Sequence, residues 1–108
     1  MSKYHSIKVS VNGLIFDSQK EYAYWVYLIA EQNKKKIWNL QRQVPYLLTE
    51  PKRDSNGKMH RARKYYADFV YEDTNGKHVV DAKGCRTDVY TLKRDLMLDR
   101  YGITIEEV

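Results

Sequence analysis

A chain of 108 residues is long enough for one compact domain, spanning 1–108, and too short for two. Its 43% hydrophobic content permits a core, no apolar run approaches the roughly 20 residues of a membrane span, and the opening MSKYHSIKVS lacks a signal-peptide apolar stretch. The single cysteine, Cys85, excludes an internal disulfide and, with only three scattered histidines, a structural zinc site of the usual kind.

A lone thiol fits a reducing compartment, so a cytoplasmic location is expected. The net charge is +5 and the isoelectric point about 9.3. The charge is unevenly placed. Residues 34–64 hold ten Lys/Arg against Glu50 and Asp54, while the remainder of the chain is mildly acidic. Clustered cations of this kind neutralise phosphates, which favours a nucleic-acid partner over a merely solvated basic loop. Ten tyrosines against two phenylalanines place many hydroxyls at the edge of the core.

In chain order, Ile7–Val11 and Leu14–Phe16 flank Asn12-Gly13, a tight-turn dipeptide, and predict a short hairpin. Ser18-Gln-Lys-Glu21 has the capping-box pattern and opens a helix. Tyr22, Trp25, Val26 and Ile29 follow as its apolar stripe. That helix should fade near Asn33 and the Lys34–Lys36 run. Residues 40–49 read as a strand, with Pro45 marking an edge or a bulge. Residues 51–58 read as a polar turn region. A second strand covers 62–72 and a third 78–83, joined through Thr74-Asn75-Gly76-Lys77. Residues 84–88 form a loop, 89–101 a helix stopped by Gly102, and Ile103–Glu107 a last short strand. After the first hairpin the order is α-β-β-β-α-β, an α/β domain with a mixed sheet flanked by helices.

If Asn75 and Gly76 are the two loop residues, Lys83 lies opposite Asp68 and Asp81 opposite Val70. Strand alternation then sends Asp68, Asp81 and Lys83 to one face, with Asp81 the diagonal neighbour of Asp68. Phe69, Tyr71, Val80 and Ala82 go to the other face and pack in a core. Two carboxylates this close repel unless a proton or a divalent cation compensates. Oxygen-only ligands at an open, watery site suit Mg²⁺, with Mn²⁺ as a substitute. A cross-strand salt bridge between Asp68 and Lys83 is the plain structural alternative.

The order of elements, Asp68 in Tyr-Ala-Asp-Phe-Val and Asp81-Ala82-Lys83 in Val-Val-Asp-Ala-Lys-Gly together resemble the PD-(D/E)xK nuclease superfamily. Its core has the same α-β-β-β-α-β order, an Asp on the second strand and a (D/E)-x-K on the third. Glu21 looks like the carboxylate that the superfamily often adds from the first helix, although it is equally the third residue of the Ser18 capping box. The stretch from Phe16 to Gly84, with Thr91-Leu92-Lys93 after it, is similar to small phage-encoded endonucleases, and more distantly to archaeal Holliday-junction resolvases.

The resemblance implies a restriction-endonuclease-like core and Mg²⁺-dependent cutting of DNA. Asp68, Asp81, the Ala82 carbonyl and Glu21 would hold the metal, with Lys83 assisting the attacking water. At this size, structure-selective cutting of branched DNA in phage recombination or replication is expected, and a homodimer would supply two sites for two strands. Arg61, Arg63 and Lys64 are the best DNA-backbone contacts, joined by Arg86, Thr87 and Lys93. Thr87 reads equally as a helix cap, and Lys93 as an exposed helix lysine. Gln41 and Gln43 either line the site or face solvent. A non-catalytic nucleic-acid-binding module on the same fold is the rival reading, and an RNA-directed nuclease a third.

Overall fold

The computed structural model describes residues 7–82 and 87–108. Strands β1 (Val9–Val11) and β2 (Leu14–Phe16) form the expected antiparallel hairpin. Asn12 (φ 53°) and Gly13 (φ 81°) both adopt left-handed backbone, which a two-residue turn of this hand requires.

Helix α1 (Gln19–Asn33) is capped as its sequence predicts, with the Ser18 hydroxyl accepting from the Glu21 amide at 3.1 Å. Its buried face differs from the expected stripe. Glu21 and Leu28 are buried, Tyr24 and Trp25 pack with the core, and Val26 is exposed. Apolar residues run nearly all round this helix, so periodicity alone does not select a face. The face chosen is the one that carries Glu21 inward.

Strand β3 (Trp38–Thr49) is an edge strand, which is why Pro45 is tolerated. The expected turn region at 51–58 holds a two-stranded hairpin instead, β4 (Lys52–Arg53) with β5 (Met59–His60). Then come β6 (Arg63–Asp73), β7 (Gly76–Asp81), helix α2 (Asp88–Tyr101) and β8 (Glu106–Glu107). Gly102, at φ 68°, closes α2 with its amide bonded to the Leu98 carbonyl. The main sheet has the order β3-β6-β7-β8. Its first two pairings are antiparallel and the last is parallel.

The chain is therefore a mixed α/β protein with a central mixed sheet and two helices. Each helix covers its own cluster. Leu28 of α1 packs with Ile37, Phe69, Tyr71, Val80 and Ala82. Met97 of α2 packs with Leu48, Tyr65, Ala67, Val70, Val79 and Ile105. The cross-strand pairs Phe69–Val80 and Val70–Val79 thus serve opposite sides of the sheet, as alternation requires. The expected inward group Phe69, Tyr71, Val80 and Ala82 is the α1-side core. Among the described residues no helix is long and apolar enough to cross a membrane.

The β6–β7 register corrects the expected one by two residues. Asp73 pairs with Gly76 and Val70 with Val79, so the loop residues are Thr74 and Asn75. The cause is local: the Asp73 carboxylate accepts from the Asn75 amide at 2.8 Å, which closes the turn one residue earlier. The pairing ends at Phe69–Val80, and this register extended by one step would set Asp68 across from Asp81 rather than diagonal to it. A shift of two residues preserves the face of every side chain.

Candidate functional site

Alternation along β6 breaks at Asp68. Tyr65 and Ala67 pack in the α2-side cluster, whereas Phe69 and Tyr71 pack on the α1 side, although all four are odd-numbered. The neighbouring strand changes sides at the same level: Leu40 joins the α1 cluster, and Val44 and Tyr46 join the α2 cluster. Gln43 lies at this level of β3 with φ 50°, a left-handed conformation that is costly for a residue with a Cβ. The pairing register is unchanged on both sides of it, Arg42 with Phe69 and Val44 with Ala67. The distortion aims the Gln43 amide at Asp68, donating to Oδ1 at 3.2 Å. Of the two glutamines in question, Gln43 lines the site.

Three carboxyl groups are buried here: Glu21 at 2%, Asp68 at 2% and Asp81 at 3% exposure, the only buried charged side chains among the described residues. Burying even one ionised carboxylate is expensive unless it is paired. Asp68 accepts from Gln43 and, through Oδ2, from the Ala82 amide at 2.8 Å, which ties it to the end of β7. Asp81 accepts from the Tyr65 hydroxyl at 2.8 Å. Burial, then the Asp81 charge and the hydrogen bond to it, pushes the Tyr65 hydroxyl well above the usual tyrosine range, and the Asp68 charge adds to this. Tyr65 therefore senses both aspartates and remains a proton donor throughout the ordinary pH range.

Glu21 performs more than the cap role. Its carboxylate accepts from the Asp17 amide at 3.3 Å and meets the Arg42 guanidinium at 3.5 Å. Burial, followed by the nearby Asp68 charge, pushes its pKa up to about 7. As a carboxylate, its Oε2 is buried with no hydrogen-bond donor. As an acid it can give that proton to Asp68 in a shared hydrogen bond. Arg42 is held in place by the Ile15 carbonyl at 2.8 Å and by the Phe16 ring, 4.0 Å beneath its guanidinium carbon. The first hairpin thereby acts as a bracket for the cation that faces Glu21.

A cleft of about 350 Å³ opens beside Asp81, lined by Tyr65, Tyr66, Thr87, Val89, Tyr90 and Lys93. The structure thus brings Thr87 and Lys93 into one cleft with Asp81. Thr87 is also the helix cap, its hydroxyl accepting from the Tyr90 amide at 3.1 Å. Arg61, Arg63 and Lys64 are exposed and leave the site along β6. Lys83 and Arg86 lie outside the described residues. Among the described residues no group of three or more Asp, Glu, His or Cys side chains is gathered tightly enough to hold a metal ion.

Arg42 and Tyr65 were not singled out from the sequence. Arg42 counted only towards the basic segment, and nothing in the spacing marks it as the partner of Glu21. Tyr65 lies three residues before Asp68 in β6, and only the break in alternation turns it towards Asp81. Removing its hydroxyl in Tyr65→Phe is expected to destabilise the protein by about 1.5–3 kcal/mol, the usual contribution of a hydrogen bond to a charged group. Urea unfolding at neutral pH measures this, and an unchanged midpoint would show that the bond contributes nothing.

No curated protein and no solved structure matches the chain. The family model described as "Protein of unknown function (DUF1064)" matches residues 1–105. With nearly all of its length matched, the chain belongs to the DUF1064 family.

Proposed function

We propose that this protein is a Mg²⁺-dependent endonuclease that hydrolyses DNA phosphodiester bonds, built on a restriction-endonuclease-like core. The observation that carries the reading is the set of three buried carboxyl groups, Glu21, Asp68 and Asp81, with Glu21 beside Asp68 and Asp68 tied to the end of β7 that carries Asp81. Such a group is costly to assemble, and a structural role would be served as well by apolar residues. A bound cation removes the cost.

The donor set fits magnesium. Every candidate ligand is an oxygen, and Mg²⁺ is commonly held by only one or two carboxylates, with waters and substrate phosphate completing its shell. Asp68, tied to the Ala82 amide at the end of β7, and Asp81 would supply those two, helped by the Ala82 carbonyl. Glu21, with a buried Oε2 that lacks a donor, stands next to Asp68 to complete or orient the set. When bound, the ion supplies Lewis acidity towards the phosphodiester and a more acidic water.

The protein's own groups do the rest. Tyr65 orients Asp81 through its hydroxyl, while Gln43 and the Ala82 amide orient Asp68. Lys83, two residues after Asp81, is assigned to the attacking water or to the charge developing on phosphorus. Lys93 and Thr87 in the cleft would hold the phosphate on the α2 side, with Arg86 beside them in sequence. Two copies of the chain would cut the two strands of a branched substrate.

The test is incubation of supercoiled, linear duplex, single-stranded and branched DNA with Mg²⁺, Mn²⁺ or EDTA. Metal-dependent endonucleolytic cutting is expected, strongest on branched DNA. Binding without cutting of any DNA under either metal would replace the enzyme by a nucleic-acid-binding module. Cutting of RNA alone would redirect it to RNA.

A further inference from the structure

The β4–β5 hairpin contributes no residue to either core cluster. Lys52, Arg53, Lys58, Met59, His60 and Arg61 are all exposed. A free two-stranded ribbon is marginal in water, yet this one is braced by its own side chains. Asp54 accepts from the amides of Asn56 at 2.9 Å and Lys58 at 3.0 Å, and pairs with His60 at 2.8 Å. Arg53 donates to the Gly57 carbonyl at 2.9 Å. The one acid of the ribbon is thus consumed in shaping its turn, which leaves the outward charge almost wholly positive. A rigid, basic, unpacked ribbon answers no need of the core.

We infer that the β4–β5 ribbon is an anchoring arm that grips the phosphate backbone of duplex DNA, entering or straddling its major groove, at a distance from the carboxylate site. A two-stranded ribbon fits the major groove, which is about 12 Å wide. The arm prolongs the strands that carry the site: the β3–β6 pairing ends at Thr49–Arg63, and the ribbon resumes at Lys52–His60. Arg63 is five residues from Asp68, or about 17 Å of strand, and the ribbon reaches roughly 10 Å further. At 3.4 Å per base pair, its cations meet the backbone roughly five to eight base pairs from the carboxylates. The inference takes DNA as partner from the proposed function, but it does not require cutting.

The test measures binding in EDTA, where no cutting occurs, for wild type and Lys52→Gln/Lys58→Gln/Arg61→Gln. All three side chains are exposed, and circular dichroism melting checks that the fold is kept. With a duplex of about 24 base pairs, the slope of log affinity against log salt is expected to fall by about two to three, at about 0.9 per lost phosphate contact. Shortening the duplex to about ten base pairs is expected to weaken wild type and leave the triple variant nearly unaffected. An unchanged salt slope would overturn the arm. Equal loss on single-stranded DNA would overturn its assignment to the duplex. A slope that depends on the ribbon in a protein that never cuts would leave the arm standing and remove the nuclease.

Discussion

Asp81→Asn is expected to lower metal-dependent DNA cleavage by at least about a thousandfold while leaving the fold and DNA binding in place. The amide keeps the size of the side chain and an oxygen that can still accept from the Tyr65 hydroxyl, so the Tyr65 contact survives. What is lost is the negative charge. A catalytic metal's contribution to the barrier is several kcal/mol, and about 4 kcal/mol corresponds to a thousandfold. Asp68→Asn should lose cutting as well but also some stability, because Gln43 and the Ala82 amide donate to different oxygens of Asp68 and an amide can accept from only one of them. Lys83→Ala should impair cutting without altering metal affinity, since its assigned partner is the water rather than the ion. Single-turnover cleavage with saturating protein separates these effects from binding. Asp81→Asn cutting within tenfold of wild type would remove Asp81 from the reaction and the proposal with it.

The second large effect concerns stability. Glu21 titrates near 7 in the fold against an ordinary 4.5, first through burial and then through the Asp68 charge. A carboxyl raised in this way favours the folded state while it is protonated. Its contribution is fully present below pH 4.5, declines as the unfolded chain gives up the proton, and is lost above pH 7. A shift of this size corresponds to about 3 kcal/mol.

Glu21→Gln is therefore expected to be more stable than wild type at pH 8 by about that amount, with much less difference at pH 4. The pKa of His78 is also raised. Burial by itself lowers it, but hydrogen bonds that its ring donates to the Asp73 and Glu106 carboxylates outweigh burial. The comparison of Glu21→Gln with wild type cancels that contribution, which both proteins share. Added Mg²⁺ competes with the proton, so it should raise the wild-type melting temperature more at pH 8 than at pH 5. Absence of any Mg²⁺ effect at pH 8 would mean that these carboxylates do not take the ion.

Much of the fold was legible in the sequence because its signals are local. The Asn12-Gly13 turn, the Ser18 cap, the Gly102 stop and the Pro45 edge strand each follow from the backbone preferences of one or two residues. The packing of Phe69, Tyr71, Val80 and Ala82 against α1 follows from period-two alternation near the hairpin. The candidate acids Glu21, Asp68 and Asp81 were also visible, as short motifs in the right order of elements.

Other features were decided only by tertiary structure. The face of α1 was one: a helix with apolar residues nearly all round has no preferred side until it meets the sheet, and the side selected buries Glu21. The hairpin register, by contrast, is set locally, by the Asp73 side chain capturing the Asn75 amide. The change of side at Gln43 and Asp68 turns Tyr65 towards Asp81, and the first hairpin seats Arg42 beneath Glu21. These contacts join residues far apart in the chain, and their energies arise from burial and charge. Neither quantity exists for an isolated segment, so sequence alone determined which groups were available, and folding determined which of them meet.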